Sequence, residues 1–106
     1  MPQIKIKPLT VNRAWCGRRF KSKEYLDYEQ ELFLLLPKLE IPKENKLTLV
    51  LKFGLSNVLS DIDNPVKPFL DVLQKAYGFN DKRIFRMEVE KVKVEKGKEY
   101  IEYKIV

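Results

Sequence analysis

Histidine is absent from these 106 residues, and cysteine occurs once, at Cys16. A lone thiol forms no internal disulfide, which fits a reducing compartment. The same two absences exclude zinc centres built on Cys and His and triads built on a histidine base. Without a histidine partner, Cys16 is also set aside as a nucleophile. Any metal this chain binds must then be a hard ion held by oxygen. Long apolar runs are missing too: the longest candidate, LFLLLP, stops at Pro37, far short of the ~20 residues that span a bilayer. The leading MPQIKIKP lacks the apolar centre of a signal peptide. The expectation is a cytoplasmic protein with no membrane partner.

What is present describes a soluble globular protein: 44% hydrophobic and 34% charged residues. The length suggests one domain over residues 1–106, able to bury a real core though not by a wide margin. The net charge of +6 is placed unevenly. Residues 1–25 hold seven basic groups (Lys5, Lys7, Arg13, Arg18, Arg19, Lys21 and Lys23) against Glu24 alone, and the other 81 residues carry 14 of each sign. A localised basic segment suits a phosphate-rich partner, although a lysine-rich surface can also serve solubility alone.

Alternation in QIKIK (3–7), ended by Pro8, predicts a short strand. Residues 10–21, TVNRAWCGRRFK, show little periodicity and read as a basic loop with embedded aromatics. Ser22 is placed to cap a helix running to about Leu36, with its acidic residues toward the N-terminal half, where the dipole favours them. Pro37 and Pro42 bracket a linker. LTLVLKF (47–53) is nearly continuously apolar, which predicts a strand buried on both faces. Val66, Phe69, Leu70, Leu73, Ala76 and Tyr77 follow helical spacing, with Asn64 as N-cap, Pro65 as first helical residue and Gly78 as the stop. Phe85, Met87 and Val89 alternate, then Val92 and Val94 resume one step late, predicting a bulge near Glu90–Lys91. A turn at EKGK precedes a last strand lined by Ile101, Tyr103 and Ile105. The fold class is α+β, in the order β-α-β-α-β-β, with a mixed sheet and two helices.

Between the apolar strand and the second helix lies SDIDNPVK (60–67). Asp61 and Asp63, one residue apart, share one side of an extended stretch, an arrangement that can grip Mg²⁺. The following helix offers its positive end to the same region, which suits a phosphate. Lys67, in the first turn of that helix, is electrostatically out of place unless it serves a bound anion. The plain alternative is a helix-start turn, with Lys67 paired to Asp71 at i+4. A third carboxylate, Asp81, follows the helix, and it reaches the turn only if the chain doubles back along the next strand.

The stretch SDIDNPVKPFLDVLQKAYGFNDKRI resembles the core of the RusA family of Holliday junction resolvases. It shares D-x-D-N, a lysine four residues after the second aspartate, an amphipathic helix with a D-x-L step, and an aspartate before a strand. Upstream, LTVNRAWCGRRFKSKEY looks like that family's S/T-x-N segment followed by a basic, aromatic loop. The chain departs from the family in having Asn80-Asp81 where Asp-Asp is common, in Pro68 directly after Lys67, and in Cys16-Gly17 within the basic loop. The resemblance implies a nuclease that cuts branched, four-way DNA, acting as a homodimer without an organic cofactor. It implies that Asp61, Asp63 and Asp81 coordinate Mg²⁺, with Mn²⁺ as a substitute, and that Lys67 is the essential basic residue beside them. Asn12 and Asn64 fall on the family's recurrent asparagines.

Arg13, Arg18, Arg19, Lys21 and Lys23 are the expected phosphate contacts, joined by Lys67, Lys82 and Arg83 around the acidic groups. Trp15 and Phe20 read either as stacking platforms for unpaired bases or as core residues. Alternation turns Arg86 to solvent, and Lys91, Lys93, Lys96 and Lys98, balanced by glutamates, mark a solvated hairpin. A non-catalytic nucleic-acid-binding module of the same fold is the competing reading.

Overall fold

In a computed structural model, residues 2–11, 15–16, 20–43, 46–59 and 61–106 are described, residues 15, 16 and 20 by their backbone. The elements in chain order are β1 (Gln3–Ile4), β2 (Trp15–Cys16), β3 (Phe20–Lys21), α1 (Lys23–Leu35), β4 (Leu47–Leu55), α2 (Val66–Tyr77), a 3₁₀ turn (Asp81–Arg83), β5 (Ile84–Lys93) and β6 (Tyr100–Ile105). Four strands form a mixed sheet in the order β1-β6-β4-β5. β4 is antiparallel to β6 and parallel to β5, so α2 is the crossover of a β-α-β unit.

Both helices lie on one face of the sheet. α1 starts where Ser22 Oγ accepts from the Tyr25 N–H at 3.1 Å, as the cap position predicts. It buries Tyr25, Tyr28 and Leu32, while α2 buries Phe69, Leu70, Val72 and Leu73. The Phe69 ring meets Phe53 of β4 edge-on at 6.1 Å and Tyr103 of β6 at 5.7 Å. α2 ends on Gly78 in the left-handed region, with φ 68°, and its N–H returns to the Gln74 carbonyl. The Tyr77 and Tyr103 hydroxyls lie 2.6 Å apart, which ties the end of α2 to the sheet.

The β-α-β-α-β-β order is observed, with one addition. The basic loop folds back as an antiparallel pair, Trp15 opposite Lys21 and Cys16 opposite Phe20. Two-residue strands have no room for alternation, so the sequence pattern does not show them. The first strand covers Gln3–Ile4 rather than all of QIKIK. β4 is buried on one face only: Leu47, Leu49, Leu51 and Phe53 meet the helices, while Thr48, Val50 and Lys52 stay half-buried on the open face. Its apolar run reflects a central position in the sheet, not a layer on each side. The bulge sits at Phe85, opposite the Leu47–Thr48 step, and pairing then runs unbroken from Arg86 to Lys93. The apparent slip near Glu90 arises because Lys91 and Lys93 occupy core-face positions beside Phe53 and Leu55, at the solvated end of the strand.

On the open face, a Cβ added at Gly54 would overlap the Tyr100 ring, which lies across the glycine from the neighbouring strand. Gly54→Ala is therefore expected to lower stability by about 1–3 kcal/mol in chemical denaturation. In a Tyr100→Ala background the same substitution should cost almost nothing. An equal cost in both backgrounds would contradict the assignment of strain to that ring.

Candidate nuclease site

The acidic turn is built by backbone bonds. At the C-terminal end of β4 the chain leaves the sheet. The Asn64 N–H then donates to the Asp61 carbonyl, and the Val66 N–H to the Asp63 carbonyl, both at 3.1 Å. These nested bonds leave the Asp61 and Asp63 side chains exposed to solvent. Asn64 does not cap α2. The cap position is Pro65, and no side chain bonds to the first amides. Pro65 supplies a helix-compatible φ of −83° and is itself buried, so the helix starts one residue later than the sequence suggests. No acidic residue lies in the first helical turn. Asp61 and Asp63 are the acidic residues that precede the positive end of the helix dipole in sequence.

Asn64 has a different task. Its carbonyl accepts from the Val11 N–H at 3.1 Å, which fastens the start of the basic segment to the acidic turn. Val11, just ahead of the segment that carries Arg13, and the acidic turn are therefore neighbours, although more than fifty residues separate Val11 from Asn64 in sequence. At the far side of the turn, Lys91 Nζ donates to the Val58 carbonyl at 2.9 Å, so β5 steadies the same loop. Two apolar side chains of this loop face solvent, Leu59 at 90% and Ile62 at 46% exposure.

Lys67 lies beside the pair, with its ammonium 3.0 Å from Asp71 on the next turn. This is a surface contact worth about 0.3–0.5 kcal/mol. Asp81 is elsewhere. β5 does run back toward the turn, but it starts level with Leu47, at the opposite end of β4, and Asp81 precedes that start. The Asp81 N–H is held at 2.8 Å by Gln74 Oε1, and Asn80 Oδ1 accepts from the Lys82 N–H. Among the described residues, no three Asp, Glu, Cys or His side chains converge on one point. Asp61 and Asp63 lie in the turn that leads into α2 and Lys67 in its first helical turn, while Asp81 lies at the other end of α2.

The expected phosphate contacts divide in the same way. Arg13, Arg18 and Arg19 lie outside the described residues, as does Asn12. Lys23 and Lys82 are exposed. Lys21 is engaged within the chain, 3.2 Å from Glu29 and over the Tyr25 ring. Lys75 also reaches Glu29, at 2.9 Å. Burial pushes the Glu29 carboxyl up, but hydrogen bonds from Lys75 and Lys21 outweigh it and hold the group below its ordinary value. Burial also raises the Tyr25 hydroxyl to about 12. Arg83 bonds to the Pro42 carbonyl and so braces the linker after α1. Arg86 faces solvent and pairs with Glu88 at 2.7 Å.

The sequence reading missed a cleft of about 770 Å³ beside the turn, where Lys5 and Lys7 face Asp27 and Glu31 of α1. Ser56 and Asn57, the first residues after β4, form its rim, and Ser56 Oγ donates to Glu99 at 2.8 Å. No local motif marks it, because its walls come from four separate segments.

Compared with known protein families, residues 5–104 match the family described as Endodeoxyribonuclease RusA. No curated protein matches the chain.

Proposed function

Because the chain belongs to the RusA endodeoxyribonuclease family, we propose that it resolves four-way DNA junctions by metal-dependent hydrolysis of paired phosphodiesters. The observation that supports this reading is the Val11–Asn64 backbone bond, which ties the chain just ahead of Arg13 to the acidic turn. A nuclease needs that juxtaposition: cations to seat the DNA backbone and carboxylates where one phosphodiester is to be broken.

The donors at the turn are carboxylate oxygens, and the chain has no imidazole, which fits Mg²⁺ and, as a substitute, Mn²⁺. Asp61 and Asp63 would hold the ion. When bound, a divalent ion supplies an activated water and neutralises charge on the phosphate. Lys67 would turn from Asp71 toward the phosphate and steady the negative charge that develops as the bond breaks. That turn costs little, since the Lys67 side chain is already 56% exposed. Asp81 acts at the turn only if it comes from a second copy, because its own chain holds it at the far end of α2. A four-way junction is two-fold symmetric, and paired cuts call for two centres, so a C₂ homodimer is the working assembly. The matched region spans nearly the whole chain, and we take residues 1–106 as one nuclease domain that works on cytoplasmic DNA without an organic cofactor.

A non-catalytic junction-binding module is favoured by one observation, the Lys67–Asp71 pair, which gives the lysine an ordinary helix-surface partner. The two readings separate on turnover: binding persists in both, and Mg²⁺-dependent cleavage occurs in one.

Replacing Arg13, Arg18 and Arg19 together by alanine tests the arm. Junction affinity in a gel shift should fall about tenfold or more. The slope of log K against log salt should shrink by about 0.9 for each lost phosphate contact. An unchanged slope would remove the arm from the interface.

A further inference from the structure

In the cleft beside the acidic turn, Lys5 and Lys7 face Asp27 and Glu31 of α1. All four residues are exposed, and among the described residues none of them forms an ion pair. Unpaired charges of both signs thus meet across about 770 Å³, a volume within the ~300–1,000 Å³ of ordinary ligand sites. Tyr28 lines the same cleft. It is 5% exposed, and its hydroxyl is buried without a hydrogen bond. Burial keeps that hydroxyl protonated, and the Leu9 backbone opposes this only in part. A buried O–H with no acceptor carries a desolvation cost that a ligand oxygen would relieve.

The cleft touches both approaches to the acidic turn. Thr10 lines it and precedes Val11, whose N–H donates to the Asn64 carbonyl. Ser56 and Asn57, on its rim, begin the segment that leads to Asp61.

We propose that the cleft seats one nucleotide of the DNA strand, drawn from the stack beside the phosphodiester to be cut, with its phosphate between Lys5 and Lys7 and its base edge against Asp27, Glu31 and Tyr28. The choice of a nucleotide as ligand rests on the function proposed above. The charge count limits the ligand to a single unit. With Glu24 and Glu99, the cleft carries four carboxylates against two ammoniums. A run of phosphates is therefore repelled, and one phosphate is held only on the lysine side. On the other side, carboxylates accept from N–H groups while the Tyr28 hydroxyl donates. Guanine answers both, because its N1–H and N2–H donors lie side by side with the O6 acceptor next to them. Thymine offers one N–H between two carbonyl oxygens, which the carboxylates repel. Unstacking costs least for a base whose stack is already disturbed, as at a branch point. The excess of carboxylates also suits an aliphatic polyamine, but that ligand would set its own cations against Lys5 and Lys7.

Titration with deoxyguanosine and thymidine monophosphates tests it, followed by amide chemical shifts of the whole chain without divalent ions. Shifts should concentrate at residues 5–10, 27–31 and 56–57, and the guanine nucleotide should bind roughly tenfold more tightly. Lys5→Gln with Lys7→Gln should weaken both nucleotides alike. Asp27→Asn with Glu31→Gln should erase the preference for guanine, which a merely structural role would leave in place. Tyr28→Phe should weaken the guanine nucleotide several-fold. No saturable shift at millimolar nucleotide, equal binding of the two bases, or shifts at these residues with spermidine alone would overturn the proposal. Junction cleavage by the unsubstituted protein keeps the two questions apart. Cleavage without nucleotide binding in the cleft sinks the subsite alone, and guanine-selective binding there without cleavage sinks the nuclease reading alone.

Discussion

Asp63→Asn is expected to cut the rate of four-way junction cleavage by about 10³-fold, about 4 kcal/mol of transition-state stabilisation, while junction binding persists. The substitution is nearly isosteric. What Asp63 gives to the fold is its backbone carbonyl, bonded to the Val66 N–H, and asparagine keeps it. The side chain is exposed, so stability should change by no more than about 0.5 kcal/mol. One negative charge is lost at the place proposed to hold a divalent ion, and an amide oxygen is a much weaker ligand than a carboxylate. Loss of cleavage together with loss of folding would mean that the turn is structural. Full cleavage would remove Asp63 from the metal site.

Phe69→Ala is expected to destabilise the protein by about 3–5 kcal/mol in chemical denaturation. Its ring is fully buried and fills the junction of α2, β4 and β6 through edge contacts with Phe53 and Tyr103. A domain of this size has about 5–15 kcal/mol in total, so the variant should be close to unfolded at moderate temperature. Phe69→Leu keeps most of the volume and should cost appreciably less. The link to function is direct, because Phe69 sits two residues after Lys67 and anchors the first turns of the helix that carries it. A cost below about 1 kcal/mol would contradict the described core.

The sequence was legible where one segment decides its own structure. Ser22 and Gly78 mark helix ends by local hydrogen bonding and by φ, and the spacing from Val66 to Tyr77 fixes which face of α2 is buried. It misled where neighbours decide. Asn64 looks like a cap, yet its carbonyl is taken by Val11, and the nested turn moves the helix start past Pro65. Val50 looks like core, yet it stays half-buried on the face of the sheet away from the helices. Asp61 and Asp63 fall in one turn because only one residue separates them, which the sequence alone shows. Asp81 was a matter of topology: a parallel crossover returns the chain to the opposite end of the sheet before β5 begins. The closeness of Val11 to the turn rests on a single long-range backbone bond, for which no local pattern exists.

The most direct test of the central claim is strand-by-strand mapping of nicks on an end-labelled four-way junction, beside a linear duplex of the same sequence, in Mg²⁺ and in chelator. The account predicts symmetrically paired nicks near the branch point that require the divalent ion, with the linear duplex left intact. Binding to the junction with no nicks under Mg²⁺ or Mn²⁺, or equal cutting of the linear duplex, would contradict it.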